Sequence, residues 1–215
     1  MIALLALLSW VPGGPADTLL IRPLRSVTPP VLAWDSSVLG PPQVQFQTGQ
    51  GRVLVWLFRW RDTVFLRATI PDSTPYWGDD FVISLDTGGD AASSPQHDDF
   101  QWYFRRVTDS SVIYRGGEGR WQAPRGDPDW RLGRERTGGG WEVSTRAERR
   151  GWDLLLRLDR AWFTASEERP RIAFRTYDNE PGGWTSWPAP LGGAPATSVE
   201  QAPVQWAVVL TQATP

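Results

Sequence analysis

The sequence predicts an all-β fold, a sandwich or barrel of short strands, on three observations. Apolar runs of about four to eight residues recur between clusters of Gly, Pro and Asp, the pattern of strands joined by turns. No stretch repeats its apolar residues with the 3.6 period of an amphipathic helix. The long segments between the runs are rich in Gly and Pro, which punctuate loops.

The elements follow in chain order. Residues 1–11 are an apolar run of about ten residues, short of the roughly 20 that a membrane-spanning helix needs. Pro12, Gly13, Gly14, Pro15 and Ala16 come next, with small residues at 14 and 16. This reads as the apolar core and cleavage site of a signal peptide over 1–16, although no basic residue precedes Arg22. The expected mature chain is 17–215, one β domain, exported to the periplasm, the cell surface or the medium. Strands are expected at 53–60 and 63–70, joined tightly through Arg61 and Asp62. Further strands are expected at 80–86, 100–107, 111–115, 141–146, 152–158, 171–177 and 204–211. Residues 159–163 read as one helical turn, the only helix expected. Segments 87–99, 116–140 and 179–202 read as long loops, and loops of that length are often functional.

Composition narrows the function. The formal charge of −2 offers no field to draw in nucleic acid. The absence of cysteine removes disulfides and thiolate metal sites. All 22 basic residues are arginine, so Schiff-base and lysine-base chemistry is excluded. His97, in a loop context, is the only histidine, and no nucleophile motif accompanies it. Tryptophan is abundant, with 14 copies. Most must pack in cores and on sheet faces, but a few exposed indoles suit the apolar face of a sugar ring.

Three stretches carry a resemblance. The first runs from Trp77, Gly78 and Asp79 through an apolar strand that closes on Asp86. The second is Gly151 and Trp152 leading a strand, with Trp162 and Phe163 after it. The third runs from Phe174 to Asp178 and Asn179, with Trp187 and Pro188 downstream. In this order they resemble the family 9 carbohydrate-binding modules and their DOMON-like relatives. The resemblance implies an antiparallel β-sandwich with jelly-roll-like topology. It implies binding of oligosaccharide or polysaccharide ends, as an accessory to xylan or glucan breakdown, with calcium in structural loops of some members. It matches Trp77 to one sugar-stacking platform and Trp187 to the other, with Trp184 a close rival. One departure stands out: Val82 occupies the place of a glutamate that the family usually carries. The haem bound by some DOMON relatives needs axial ligands such as Met and His, and only Met1 and His97 exist.

The residues add a reading of their own. In a strand over 100–105, side chains alternate between faces. Phe100, Trp102 and Phe104 then turn to the core, while Gln101, Tyr103 and Arg105 form a polar row on the other face, placed to read sugar hydroxyls or simply to meet solvent. Trp184 and Trp187, on a Gly-rich segment, are expected to leave at least one indole exposed. Two other functions stay open. A glycoside hydrolase would need two opposed carboxylates, and a docking sandwich would need no sugar at all.

Overall fold

The computed structural model describes residues 18–24, 39–73, 80–106, 111–123, 140–164, 166–179, 182–190, 192 and 194–211. The signal-peptide reading of 1–16 and the platform residue Trp77 lie outside these. Among the described residues thirteen strands form one curled sheet that folds over as a β-sandwich. They are β1 (Thr18–Pro23), β2 (Val44–Gln47), β3 (Arg52–Trp60), β4 (Thr63–Pro71), β5 (Asp80–Asp86), β6 (Asp99–Arg105) and β7 (Val112–Gly117). The remainder are β8 (Arg120–Gln122), β9 (Trp141–Glu148), β10 (Gly151–Asp159), β11 (Arg171–Asp178), β12 (Gly183–Trp187) and β13 (Ala207–Thr211).

The front layer runs β8-β7-β6-β5-β11-β13, and β12 pairs with the later part of β11. The back layer runs β3-β4-β10-β9, with β2 along β3. β1 joins the two: Thr18 to Ile21 lie beside β13, and Arg22 and Pro23 beside β3. Both of these pairings are parallel, while the other strand pairings are antiparallel, as expected of an antiparallel sandwich. A strand that passes from one layer to the other pairs with a different neighbour in each, and here both neighbours run its own way.

Period-two alternation builds the core. Phe81, Ile83 and Leu85 of β5, Trp102 and Phe104 of β6 and Phe174 of β11 meet Val53, Leu57, Leu66, Leu154 and Leu156 of the back layer. Aromatic edges fill the space between: Phe100 and Trp102 meet Trp162 with ring centroids 4.5 and 5.2 Å apart. At Gly151, which opens β10, an added Cβ would lie 2.2 Å from the Ile70 carbonyl oxygen, so the backbones of β10 and β4 approach as closely as they do because there is no side chain. On the outermost strand of the back layer, Glu142, Arg146 and Glu148 stand out to solvent, a charged edge that discourages pairing with another chain.

The expected helical turn is present as a 3₁₀ turn over Arg160–Phe163, which buries Trp162 and Phe163. The Asp159 carboxylate caps it by accepting from the Ala161 amide at 3.0 Å. Asp159→Ala is expected to cost about 1 kcal/mol, read as a fall of about 2–4 °C in Tm. Further helix corrects the expectation: one turn at Thr197–Glu200 and a 3₁₀ turn at Pro203–Gln205. Four strands, β1, β2, β8 and β12, were not expected from the sequence, because all are short and lie among Gly and Pro. Among the described residues no helix is long and apolar enough to cross a membrane.

Candidate functional site

The outer face of the front layer carries a concavity of about 370 Å³. Strand alternation positions most of its lining. With Phe81 and Phe104 turned inward, Asp80, Val82 and Ser84 of β5 turn outward beside Arg105, Tyr103 and Gln101 of β6. Tyr103 and Arg105 line the concavity with Asp80, Tyr114, Trp121 and Glu200. Gln101 lies at its floor, 1 % exposed, and donates to Ser84 Oγ at 3.2 Å. Arg105 Nε donates to Asp80 Oδ1 at 3.0 Å. Burial raises the Asp80 carboxyl above the usual carboxylate range, against the lowering effect of Arg105.

At the centre of the face stands a second ion pair. Val82 lies between Tyr103 on one neighbouring strand and Arg175 on the other. The Glu200 carboxylate, from the one-turn helix, reaches the partners of this same position. Its Oε2 lies 2.7 Å from Arg175 Nη1, and its Oε1 accepts from the Tyr103 hydroxyl at 3.3 Å. Arg175 Nη2 donates to the Tyr103 oxygen at 3.1 Å, closing a triangle. A carboxylate that β5 lacks at Val82 is thus delivered to the face by an element more than a hundred residues further along the chain. Arg175 is 1 % exposed. Burial pushes the Tyr103 phenol up to about 12, so it stays a neutral donor and acceptor.

The aromatic side chains frame this triangle. The Arg175 guanidinium sits 4.5 Å over the Trp184 ring, and Tyr103 meets Trp184 nearly perpendicular at 6.3 Å. Trp121 stacks on Trp206 with ring planes 3° apart and donates from Nε1 to the Glu200 carbonyl at 3.2 Å. Trp187 needs a correction. It pairs with Phe174 across β11 and β12, and its ring stacks on that core residue at 5.6 Å. Three positions along one strand reverse the face, so Trp184 stands with Tyr103 while Trp187 turns inward. Both are half-buried and lie on a strand, not on the loop the sequence suggested. Sequence reasoning missed Trp121, Tyr114, Arg175 and Glu200; only Tyr114 and Arg175 carried a signal, the alternation of their own strands.

At the other end of the same face, Asp86 and Asp99 lie opposite one another in the β5–β6 register. Carboxylate oxygens of Asp86, Asp90 and Asp98 all lie within 4.8 Å of one another. These are hard donors of the kind calcium takes, six to eight at a time, so the three carboxylates could supply only part of such a shell. The Asp86 oxygens also accept from the Gly89 and Ala91 amides. Burial first, and then the neighbouring carboxylates, push Asp99 up to about 8; burial and the same crowding push Asp86 to about 6.

No family model and no curated protein matches the chain. Solved structures do match. One is a family 9 carbohydrate-binding module from Caldicellulosiruptor kristjanssonii in complex with glucose, with a TM-score of 0.55, 14 % identity, and coverage of 93 % of this chain and 97 % of that one. Another is a family 9 module from the same organism in complex with cellotriose, with a TM-score of 0.55, 15 % identity, and coverage of 93 % and 95 %. The chain therefore has the β-sandwich fold of the family 9 carbohydrate-binding modules.

Proposed function

We propose that the protein binds neutral carbohydrate on the outer face of the front layer, as an exported, non-catalytic module. The observation that carries this reading is the Tyr103–Arg175–Glu200 triangle beside Trp121 and Trp184. Sugar hydroxyls both donate and accept, and a face offering phenol, guanidinium and carboxylate groups within one concavity meets both needs. Indole rings supply the apolar surface for the sugar's C–H groups. Arg105 and Asp80 extend the polar row, and Gln101 braces it from below. Trp77, which the resemblance matches to a platform, remains in the proposal. Similar folds in complex with glucose and with cellotriose support the ligand class. An accessory role in polysaccharide breakdown and export through residues 1–16 belong to the same reading, and intact mass of exported protein beginning at Asp17 would support the latter.

Arg105→Ala provides the test. Its ion pair with Asp80 is partly exposed and contributes little to folding. The variant is expected to keep the wild-type circular dichroism spectrum and to lose about tenfold or more in affinity, the worth of one charged hydrogen bond. Calorimetric titration with glucose and with cello- and xylo-oligosaccharides reads this. Absence of heat with every sugar, or wild-type affinity in the variant, sinks the reading.

A second reading, glycoside hydrolysis, has one observation in its favour: two carboxylates, Asp80 and Glu200, line one concavity. Both are ion-paired to arginine, an arrangement that suits binding better than proton transfer. Reducing-sugar release from xylan and glucan separates the two.

A further inference from the structure

We infer that Trp206, a residue the ligand does not touch, is a positioning residue of the binding site: it holds the one-turn helix at Thr197–Glu200 in place, and through it the Glu200 carboxylate. This rests on the carbohydrate reading of the concavity. A helix of four residues has no stability of its own, because so short a run does not repay its nucleation. No side chain caps its N-terminus. At its other end the chain's own amides reach back only weakly, Gln201 to the Ser198 carbonyl at 3.3 Å and Ala202 to the Val199 carbonyl at 3.4 Å. Yet this turn carries the carboxylate that joins Tyr103 and Arg175 in the triangle.

Two indoles supply what the turn lacks. Trp206 Nε1 donates to the Val199 carbonyl at 2.6 Å, and Trp121 Nε1 donates to the next carbonyl, that of Glu200, at 3.2 Å. The rings stack with planes 3° apart, so successive carbonyls at the end of the turn meet donors from one stacked pair. Terminal carbonyls of this kind have no partner within their own helix. The two indoles differ in where they stand. Trp121 is half-buried and lines the concavity, whereas Trp206 is 0 % exposed and does not line it. Trp206 is tied instead to the sheet. It immediately precedes β13, it packs with Val199 on Ala173 of β11, and its carbonyl accepts from Arg171 Nη1 of β11 at 3.2 Å. The indole thus extends the fixed frame of β11 and β13 to a turn too short to hold itself. The same stack braces Trp121, so a carboxylate and an indole of the concavity both take their places from one buried ring.

Trp206→Phe tests this, since it keeps a ring in the stack and removes the Nε1 donor. Glu200 then occupies its place only part of the time, and apparent affinity falls in proportion to that fraction. A loss of about tenfold is expected in calorimetric titration with glucose and with cello- and xylo-oligosaccharides, at a temperature where circular dichroism shows the variant folded. Leu156→Ala, in the core between the layers, lowers Tm as well but is expected to leave the affinity at the wild-type value, which separates positioning from general destabilisation. Glu200→Asp gives an independent reading should Trp206→Phe not fold. It sets the same charge back by one methylene, and a clamped turn cannot advance to make up the distance, so a loss of about tenfold is expected again. Wild-type affinity in Trp206→Phe, an equal loss in Leu156→Ala, or a Glu200→Asp affinity within about threefold of wild type overturns the inference and leaves the carbohydrate reading standing. Heat from no sugar with the wild-type protein overturns that reading, and the positioning role with it.

Discussion

Glu200→Ala is expected to abolish measurable sugar binding and to destabilise the protein by about 3 kcal/mol. The stability loss follows from what remains behind. Arg175 is 1 % exposed, and Glu200 is the carboxylate paired with it. Breaking such a pair from one side strands a buried charge, which costs about 3–5 kcal/mol; the lower figure applies because the Glu200 side chain is itself 18 % exposed. The loss in Tm is then roughly 6–12 °C for a domain of this size. The binding loss has a separate cause, since Glu200 is the acceptor that also orients the Tyr103 hydroxyl. An Arg175→Met, Glu200→Leu double variant distinguishes the two effects. Removing both charges leaves no buried charge without its counterion, so Tm should recover most of its loss while binding stays absent. A single variant that melts within about 1 °C of wild type, or a double variant that binds as wild type does, contradicts this account of the triangle.

The second large effect is on pH and stability. Asp99 and Asp86 face each other across β5 and β6, with Asp90 and Asp98 in the loop beside them. Their folded-state values lie at about 8 and about 6, above the ordinary carboxylate value of about 3.9. The folded state therefore holds protons that the unfolded chain releases. Their contribution to stability is complete below about pH 4 and is lost as pH rises, first through about 6 and then through about 8. Across that window the loop is expected to forfeit about 1–3 kcal/mol. Asp99→Asn keeps the shape and removes the upper step, so its Tm should exceed that of wild type at pH 8 and match it near pH 4. Thermal melts of both proteins at several pH values give the difference, which isolates the loop from the other carboxylates. A difference that does not grow with pH contradicts the burial argument.

What the sequence disclosed is set by the range of its signals. The polar row of Gln101, Tyr103 and Arg105 was legible because alternation is local: six residues suffice to say which way each side chain points. The helical turn after β10 was legible for the same reason, with Asp159 ahead of two large apolar residues. The choice between Trp184 and Trp187 was not, because it depends on the register of β12 against β11, and the neighbouring Gly residues concealed the strand itself. Glu200 left no trace. Its one-turn helix has no apolar period, and its role comes from where the chain brings it, onto Val82. A resemblance read along β5 registers only the glutamate absent there and cannot see the carboxylate that arrives from elsewhere.

The seam strand has a consequence for how the molecule is made. Thr18 lies beside Val208, so the first described strand finds its partner in the last. Contacts this distant in sequence form late, because the long loop they close must first be brought together. On a ribosome the front layer cannot be completed until β13 has emerged, and until then β1 and the edge of β11 present unpaired backbone. A nascent chain lacking only its final strand is thus open along the line where the two layers meet, exposing both β1 and β11 to other chains at a stage when most of the core residues have already been synthesised.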